Sequence, residues 1–149
     1  MNSGLYAPFT VKENYDSQYA GDYVLALDDW ALSPSGVIDD MEWTINGLVY
    51  PNTTPTHLHV GQVYKLRFTN ADRMMMAIPH PIHIHGGHFQ VLSIDGSPAP
   101  TEIWLDTVEV YPGEYVDIAI KFDNPGMWMM HCHVIDHEDG GMMTMLIAE

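Results

Sequence analysis

Val63-Tyr64-Lys65-Leu66-Arg67-Phe68-Thr69 alternates: Tyr64, Leu66 and Phe68 fall on one side of an extended chain, Lys65 and Arg67 on the other. A period of two marks a strand that lays one face on a core. Val116, Ile118, Ile120 and Phe122 repeat the pattern, with Asp117 and Lys121 pointing outward. Outward from these two, Tyr23–Leu27 is a short apolar run bounded by Gly21 and Asp28-Asp29. Phe89–Ile94, Thr107–Val110 and Met143–Ile147 are further candidate strands. Turn signals separate them: Asn46-Gly47 after Trp43-Thr44-Ile45, Asp95-Gly96-Ser97-Pro98, and Pro112-Gly113. Residues 31–41, with Ser33-Pro34-Ser35-Gly36, read as a loop. No stretch carries a long helical period. Many short strands with closely spaced turns make an all-β chain, a sandwich or a barrel.

A length of 149 residues fits one domain, large enough to bury a core without disulfides or metals. Residues 1–21 are polar and aromatic without a period and read as an N-terminal arm or connector, leaving 22–149 as the domain. Five basic residues against 20 acidic ones give a formal charge of −15. Such a surface repels nucleic acid and anionic membranes and attracts cations. No apolar run is long enough to cross a bilayer. Met1-Asn2-Ser3-Gly4-Leu5-Tyr6 does not have the pattern of a signal peptide. That start fits a cytoplasmic chain, or one whose leader or upstream domain lies elsewhere. The single cysteine, Cys132, has no internal disulfide partner.

Nine histidines and eleven methionines are many for this length, and they crowd two motifs. The first is His80-Pro81-Ile82-His83-Ile84-His85-Gly86-Gly87-His88; the second runs His131-Cys132-His133-Val134-Ile135-Asp136-His137-Glu138-Asp139-Gly140-Gly141-Met142. In an extended chain His83 and His85 share one face and Ile82 and Ile84 the other. Likewise His131 and His133 share a face while Cys132 points away from it, so this motif can serve two metal sites at once. Cys132, His137 and Met142 from one loop, with His80 as the distant fourth, supply a blue-copper set: two imidazoles, a thiolate and a weak thioether. Structural zinc sites favour four strong ligands and do not need the methionine.

These motifs resemble the signature of the last cupredoxin domain of multicopper oxidases: laccases, cuprous oxidases and bilirubin oxidases. The resemblance extends to Thr44-Ile45-Asn46-Gly47, the segment from Gly61 to Asn70, Asp106-Thr107-Val108 and Asn124-Pro125-Gly126-Met127-Trp128, and so covers about residues 22–149. His137-Glu138-Asp139 before Gly141-Met142-Met143 is most similar to the bacterial cuprous-oxidase branch. The resemblance implies a Greek-key β-sandwich of the cupredoxin kind. It implies a type 1 copper on His80, Cys132, His137 and Met142, a type 2 copper on His83, and a type 3 pair on His85, His131 and His133. It also implies a role for Glu138 in proton delivery; a solvated loop acid is the alternative. The family is often secreted or periplasmic. The expected activity is that of a laccase-like oxidase, taking single electrons from a phenolic, aromatic amine or Cu(I) reductant and reducing O2 to water.

One departure matters. The family's trinuclear centre takes half of its histidines from another domain through further HxH motifs. Here the one other such motif is His57-Leu58-His59, where Leu58 and Val60 suit a core and His57 and His59 a surface. The remaining histidines must then come from other cupredoxin domains or subunits, a homo-oligomer included. His88 reads as exposed or as a neighbour of the ligands. Met129 and Met130 read as core filler, whereas Met74-Met75-Met76 reads as filler, a soft Cu(I) dock or an apolar rim. A stand-alone blue-copper carrier is the rival function, but it needs four ligands and leaves His83, His85, His131 and His133 unexplained. A copper-storage protein would use the methionines but not the alternation around Cys132.

Overall fold

The structure, a computed structural model, describes residues 18–31, 41–72 and 78–149. Residues 1–17 of the arm expected over 1–21, residues 32–40 of the loop expected over 31–41, and Met74–Met76 fall outside the described residues; Ala31 and Met41, expected in that loop, instead end one strand and begin the next. Among the described residues there are eleven strands and one short helix. In chain order they are β1 (Asp22–Ala31), β2 (Met41–Ile45), β3 (Thr56–Leu58), β4 (Tyr64–Asn70), β5 (His80–Ile84), β6 (Phe89–Ile94), β7 (Ser97–Leu105), β8 (Thr107–Val110), β9 (Tyr115–Ile120), β10 (Gly126–Cys132), α1 (Ile135–Asp139) and β11 (Met143–Ala148). A six-stranded sheet runs β2-β1-β4-β9-β6-β7 and a five-stranded one β3-β11-β10-β5-β8. Both are mixed: β1 runs parallel to β4 and β11 parallel to β3. The result is a cupredoxin-like β-sandwich.

The alternation of the sequence becomes the core. Leu66 and Phe68 of β4, Val116 and Ile118 of β9, and Ile82 and Ile84 of β5 are fully buried. Burying each side chain of this kind contributes about 1.5–3 kcal/mol. Asn46 and Gly47 close a tight hairpin after β2, with φ of 53° and 76° and paired bonds between Ile45 and Leu48. Two positive φ values in succession are what an Asn-Gly turn supplies.

Three expectations needed correction. First, β1 does not stop at Asp28-Asp29; it runs to Ala31, because Asp28 and Asp29 pair with Thr44 and Trp43 of β2. The Thr44 hydroxyl donates to the Asp28 carbonyl at 3.1 Å, so the ladder outweighs the low strand propensity of aspartate. Second, Ser97-Pro98 begins a nine-residue strand rather than ending a turn. β7 is an edge strand, mostly exposed, so no core face imposes a period on it, and an edge tolerates Pro98 and Pro100. Third, Lys65 and Asp117 face away from the core as expected, yet each is only 2% exposed.

Their burial is compensated by charge pairing on the outer face of the six-stranded sheet. Lys65 Nζ lies 3.4 Å from Asp22 Oδ2. Arg67 donates from Nε and Nη2 to the two oxygens of Asp117, each at 2.6 Å, and the Ser93 hydroxyl donates to the same carboxylate at 3.1 Å. The guanidinium also stacks over Tyr115, 4.3 Å from the ring centre. Removing one member strands the other in a site with little water. Asp117→Ala is therefore expected to lower the stability of the apoprotein by about 3 kcal/mol. Urea unfolding followed by circular dichroism measures it, and Asp117→Asn should recover part of the loss.

Candidate metal centre

Two neighbouring strands bring the two histidine motifs together. β10 pairs antiparallel with β5, setting Met130 opposite Ile84, His131 opposite His83 and Cys132 opposite Ile82. Directly opposed residues share a face. His83 and His131 therefore project from the outer face of the five-stranded sheet, while Cys132 and Ile82 project into the sandwich. His80, two residues before Ile82, also points inward and is fully buried. After Cys132 the chain turns through α1 and returns at Met142. The Cys132 amide donates to the Met142 carbonyl at 3.0 Å and the Met142 amide to the His137 carbonyl at 2.9 Å. Gly141 makes that return possible, with φ of +103° and no room for a Cβ against Val49.

The inward side forms a buried donor cluster. Cys132 Sγ lies 3.8 Å from His80 Nδ1 and 3.5 Å from His137 Nδ1, and the two Nδ1 atoms are 3.1 Å apart. All three residues are buried, as is Met142, which springs from the same loop. Burial holds the His80 imidazole down at about 4, assisted by His137 and opposed by the Asp72 carboxylate. His137 falls to about 4 for the same first reason, with Asp136 and Asp72 opposing. Burial raises the Cys132 thiol to about 11, and Glu138 adds to the rise. Two neutral imidazoles thus turn their Nδ1 atoms toward one point beside a sulfur, and His80 Nε2, on the far side of its ring, has no hydrogen-bond partner among the described residues. A cation at that point would satisfy these donors, and a thiol with two imidazoles suits copper.

The outward side gathers four imidazoles. One ligand atom each from His83, His85 and His131 falls within 4.8 Å of the others, and the Nε2 atoms of His85 and His131 are 3.1 Å apart. The His133 ring lies 5.7 Å from those of His83 and His131. His83 Nδ1–H donates to the Asp106 carbonyl and to Thr107 Oγ1, both at 2.9 Å. His131 Nδ1–H donates to the Cys132 carbonyl at 2.9 Å and lies 3.2 Å from Glu138 Oε2. These bonds fix each ring's tautomer and leave Nε2 free to bind a metal.

Every residue expected at the two sites is therefore in one of the two clusters or bonded to it, Glu138 included. His57, His59 and His88 are exposed and apart from both, His57 bonding Glu149 at 3.0 Å. Met130 is fully buried and Met129 partly so, as core filler should be. Sequence reasoning quoted Asp106-Thr107 without giving either residue a task; the strand pairing of Thr107 with His83 supplies it. It also missed Trp43, whose ring stacks on His137, and the acid group Asp28, Asp29 and Asp72. Burial, then the hydrogen bond that the protonated Asp29 carboxyl donates to Asp72, raises Asp29 to about 7. Nothing in the local sequence marks Trp43 and His137, 94 positions apart, or Asp29 and Asp72, 43 apart, as neighbours.

A family model described as "Multicopper oxidase" matches residues 28–149. The chain belongs to the multicopper oxidase family. The multicopper oxidase MmcO of Mycobacterium tuberculosis is 41% identical over 118 residues, covering 79% of this chain and 22% of that protein. Laccase-5 of Trametes versicolor is 33% identical over 111 residues, 72% of this chain and 21% of that protein. Among solved structures, the Blue Copper Oxidase of Nitrosomonas europaea superposes with a TM-score of 0.78 at 34% identity, covering 93% of this chain and 46% of that one. The chain thus spans between about a fifth and a half of these relatives. Copper is the metal of this family.

In this multicopper oxidase chain the buried groups tie stability to pH. Between pH 4 and 6.5 the unfolded chain protonates His80 and His137 while the folded one does not, so stability falls as pH drops through that window. Asp29 opposes this, since the folded chain holds its proton up to about pH 7 and the unfolded chain releases it near 3.8. Two histidines against one carboxyl leave a net loss of about 1.4 kcal/mol per pH unit on acidification of the apoprotein. Urea unfolding at pH 6.5, 5.5 and 4.5 measures the slope, and Asp29→Asn should make it roughly twice as steep.

Proposed function

We propose that this chain is the electron-entry domain of a laccase-like multicopper oxidase. His80, Cys132, His137 and Met142 would hold a type 1 copper. His83 would serve a type 2 copper, and His85, His131 and His133 a type 3 pair. The observation that carries this reading is the two-sided strand end: Cys132 Sγ joins His80 and His137 on the buried side, while its two chain neighbours join the imidazole cluster on the other. Copper bound on both sides supplies one-electron exchange with a reductant at the buried site and reduction of O2 to water at the histidine cluster.

The chain's own residues prepare both sites. Cys132 is joined to His131 and to His133 by single peptide units, the shortest covalent connection the backbone offers between them. Ile82 and Met142, both fully buried, keep water from the inner site. Glu138, which reaches solvent, lies against His131 and can carry protons between water and the outer site. The outer cluster offers four imidazoles on one face, and the relatives are longer than this chain. Other domains, other subunits or a second copy would supply the remaining histidines. The reductant class is a phenol, an aromatic amine or Cu(I).

Copper-loaded protein is expected to be blue, with strong thiolate-to-copper absorption toward the red. Copper uptake at the buried site at pH 7 should release about one proton, from the Cys132 thiol, because His80 and His137 are already neutral. Cys132→Ser should abolish the colour and leave the apoprotein folded by circular dichroism. A colourless copper-loaded wild type would refute the assignment.

Oxygen uptake with a phenolic or Cu(I) reductant, on protein of measured oligomeric state and copper content, tests the rest. A proven monomer is expected not to reduce O2 to water, and turnover should appear only with a second chain or domain. Four-electron turnover by the monomer would overturn the need for a partner. A single copper per chain in every assembly, without oxygen uptake, would mark an electron carrier instead.

A further inference from the structure

Trp43 lies face to face on His137, with ring centres 3.5 Å apart and planes 16° apart. It meets His80 edge-on at 5.9 Å and 74°. The contact joins distant parts of the fold, since Trp43 belongs to β2 at the edge of the six-stranded sheet and His137 to α1, after the end of β10. Two backbone features hold the indole in place. The Trp43 amide donates to the Gly140 carbonyl at 3.3 Å, closing β2 against the turn after α1. A Cβ on Gly140 would land on the indole, so only a glycine lets that turn approach so closely.

We propose that Trp43 is a positioning residue of the buried metal centre. Its indole fixes the plane of the His137 ring, with Nδ1 aimed at Cys132 Sγ and His80 Nδ1, and closes that side of the centre to water. It thereby sets the reduction potential of the bound copper and the rate at which copper leaves. The inference rests on the reading of His80, Cys132 and His137 as copper ligands.

The need for such a clamp follows from where His137 sits. α1 has five residues, and its N-cap Val134 makes no side-chain capping bond. The outer torsion of a histidine is broad, so an unsupported imidazole turns easily. A stacked aromatic partner favours one plane by a factor of up to about ten. The same ring covers an imidazole that is only 2% exposed. Water stabilises Cu(II), the more highly charged state, more than Cu(I). Opening this side therefore favours Cu(II) and lowers the potential.

The experiment uses the full chain loaded with copper, comparing wild type with Trp43→Leu, Trp43→Phe and Gly140→Ala. A redox titration followed by the blue absorption gives the potential, and transfer to a Cu(I) chelator gives the release rate. Trp43→Leu is expected to shift the ratio of Cu(II) to Cu(I) affinity about tenfold toward Cu(II), a fall of about 59 mV, and to speed Cu(I) release about tenfold. Trp43→Phe, which keeps a stacking ring, should restore most of both. Gly140→Ala, whose Cβ would press on the indole first and also on the Asp136 carbonyl, should move both in the direction of Trp43→Leu. A folded, blue Trp43→Leu protein with wild-type potential and release rate overturns the proposal. Should that variant not fold, wild-type values in Gly140→Ala overturn it. A wild type that binds no copper overturns the ligand reading itself, a result distinct from any change among the variants.

Discussion

The register between β10 and β5 is the constraint on which both sites depend. A strand presents successive side chains to opposite faces, so setting Cys132 opposite Ile82 places the sulfur in the core and the two flanking imidazoles outside it. A slip of one residue would exchange those faces and destroy both clusters together. The core protects the register: Ile82 and Ile84 of β5 and Met130 of β10 are fully buried, and a one-residue slip would turn the inward set of one strand out of the interior. The pairing continues past the strand ends, where the His133 amide donates to the Pro81 carbonyl and the His85 amide to the Met129 carbonyl.

The two clusters, one strand apart, lie in opposite environments. The inner donors are dry, and burial, assisted at His80 by the neighbouring His137, keeps both imidazoles uncharged at neutral pH. Of the outer histidines, His85 and His133 are exposed and His83 half-buried, and hydrogen bonds from Nδ1 orient His83 and the buried His131. Glu138 lies between the two, next in sequence to the inner His137 and in contact with the outer His131. Asp72 adds a buried negative field that reaches both inner imidazoles. That field partly offsets the cost of bringing a cation into the interior.

Much of this was legible in the sequence, for physical reasons that differ between elements. β4, β6, β8 and β9 could be read because one face of each meets the core and stamps a period of two on the chain. The two-faced character of the His131-Cys132-His133 segment followed from the same period, before any neighbour was known. β7 was illegible because it is exposed on most of its length and carries no such stamp. The buried Lys65 and Asp117 were misjudged because charge predicts exposure only when no partner is at hand. Asp117 finds Arg67 fifty residues away and Lys65 finds Asp22 on a parallel strand, distances along the chain that no local pattern encodes. Trp43 was invisible as a neighbour of His137 for the same reason.

The burial that raises the Cys132 thiol to about 11 has a consequence for the chain before it meets any metal. Oxidants and alkylating agents attack the thiolate, and at neutral pH a thiol titrating near 11 is ionised in only about one molecule in ten thousand. The sulfur also lies wholly beneath the surface. Once folded, the metal-free chain is therefore a poor target for sulfenic acid formation or for cross-linking to another copy. The core that aims the sulfur also keeps it chemically intact until a cation displaces its proton.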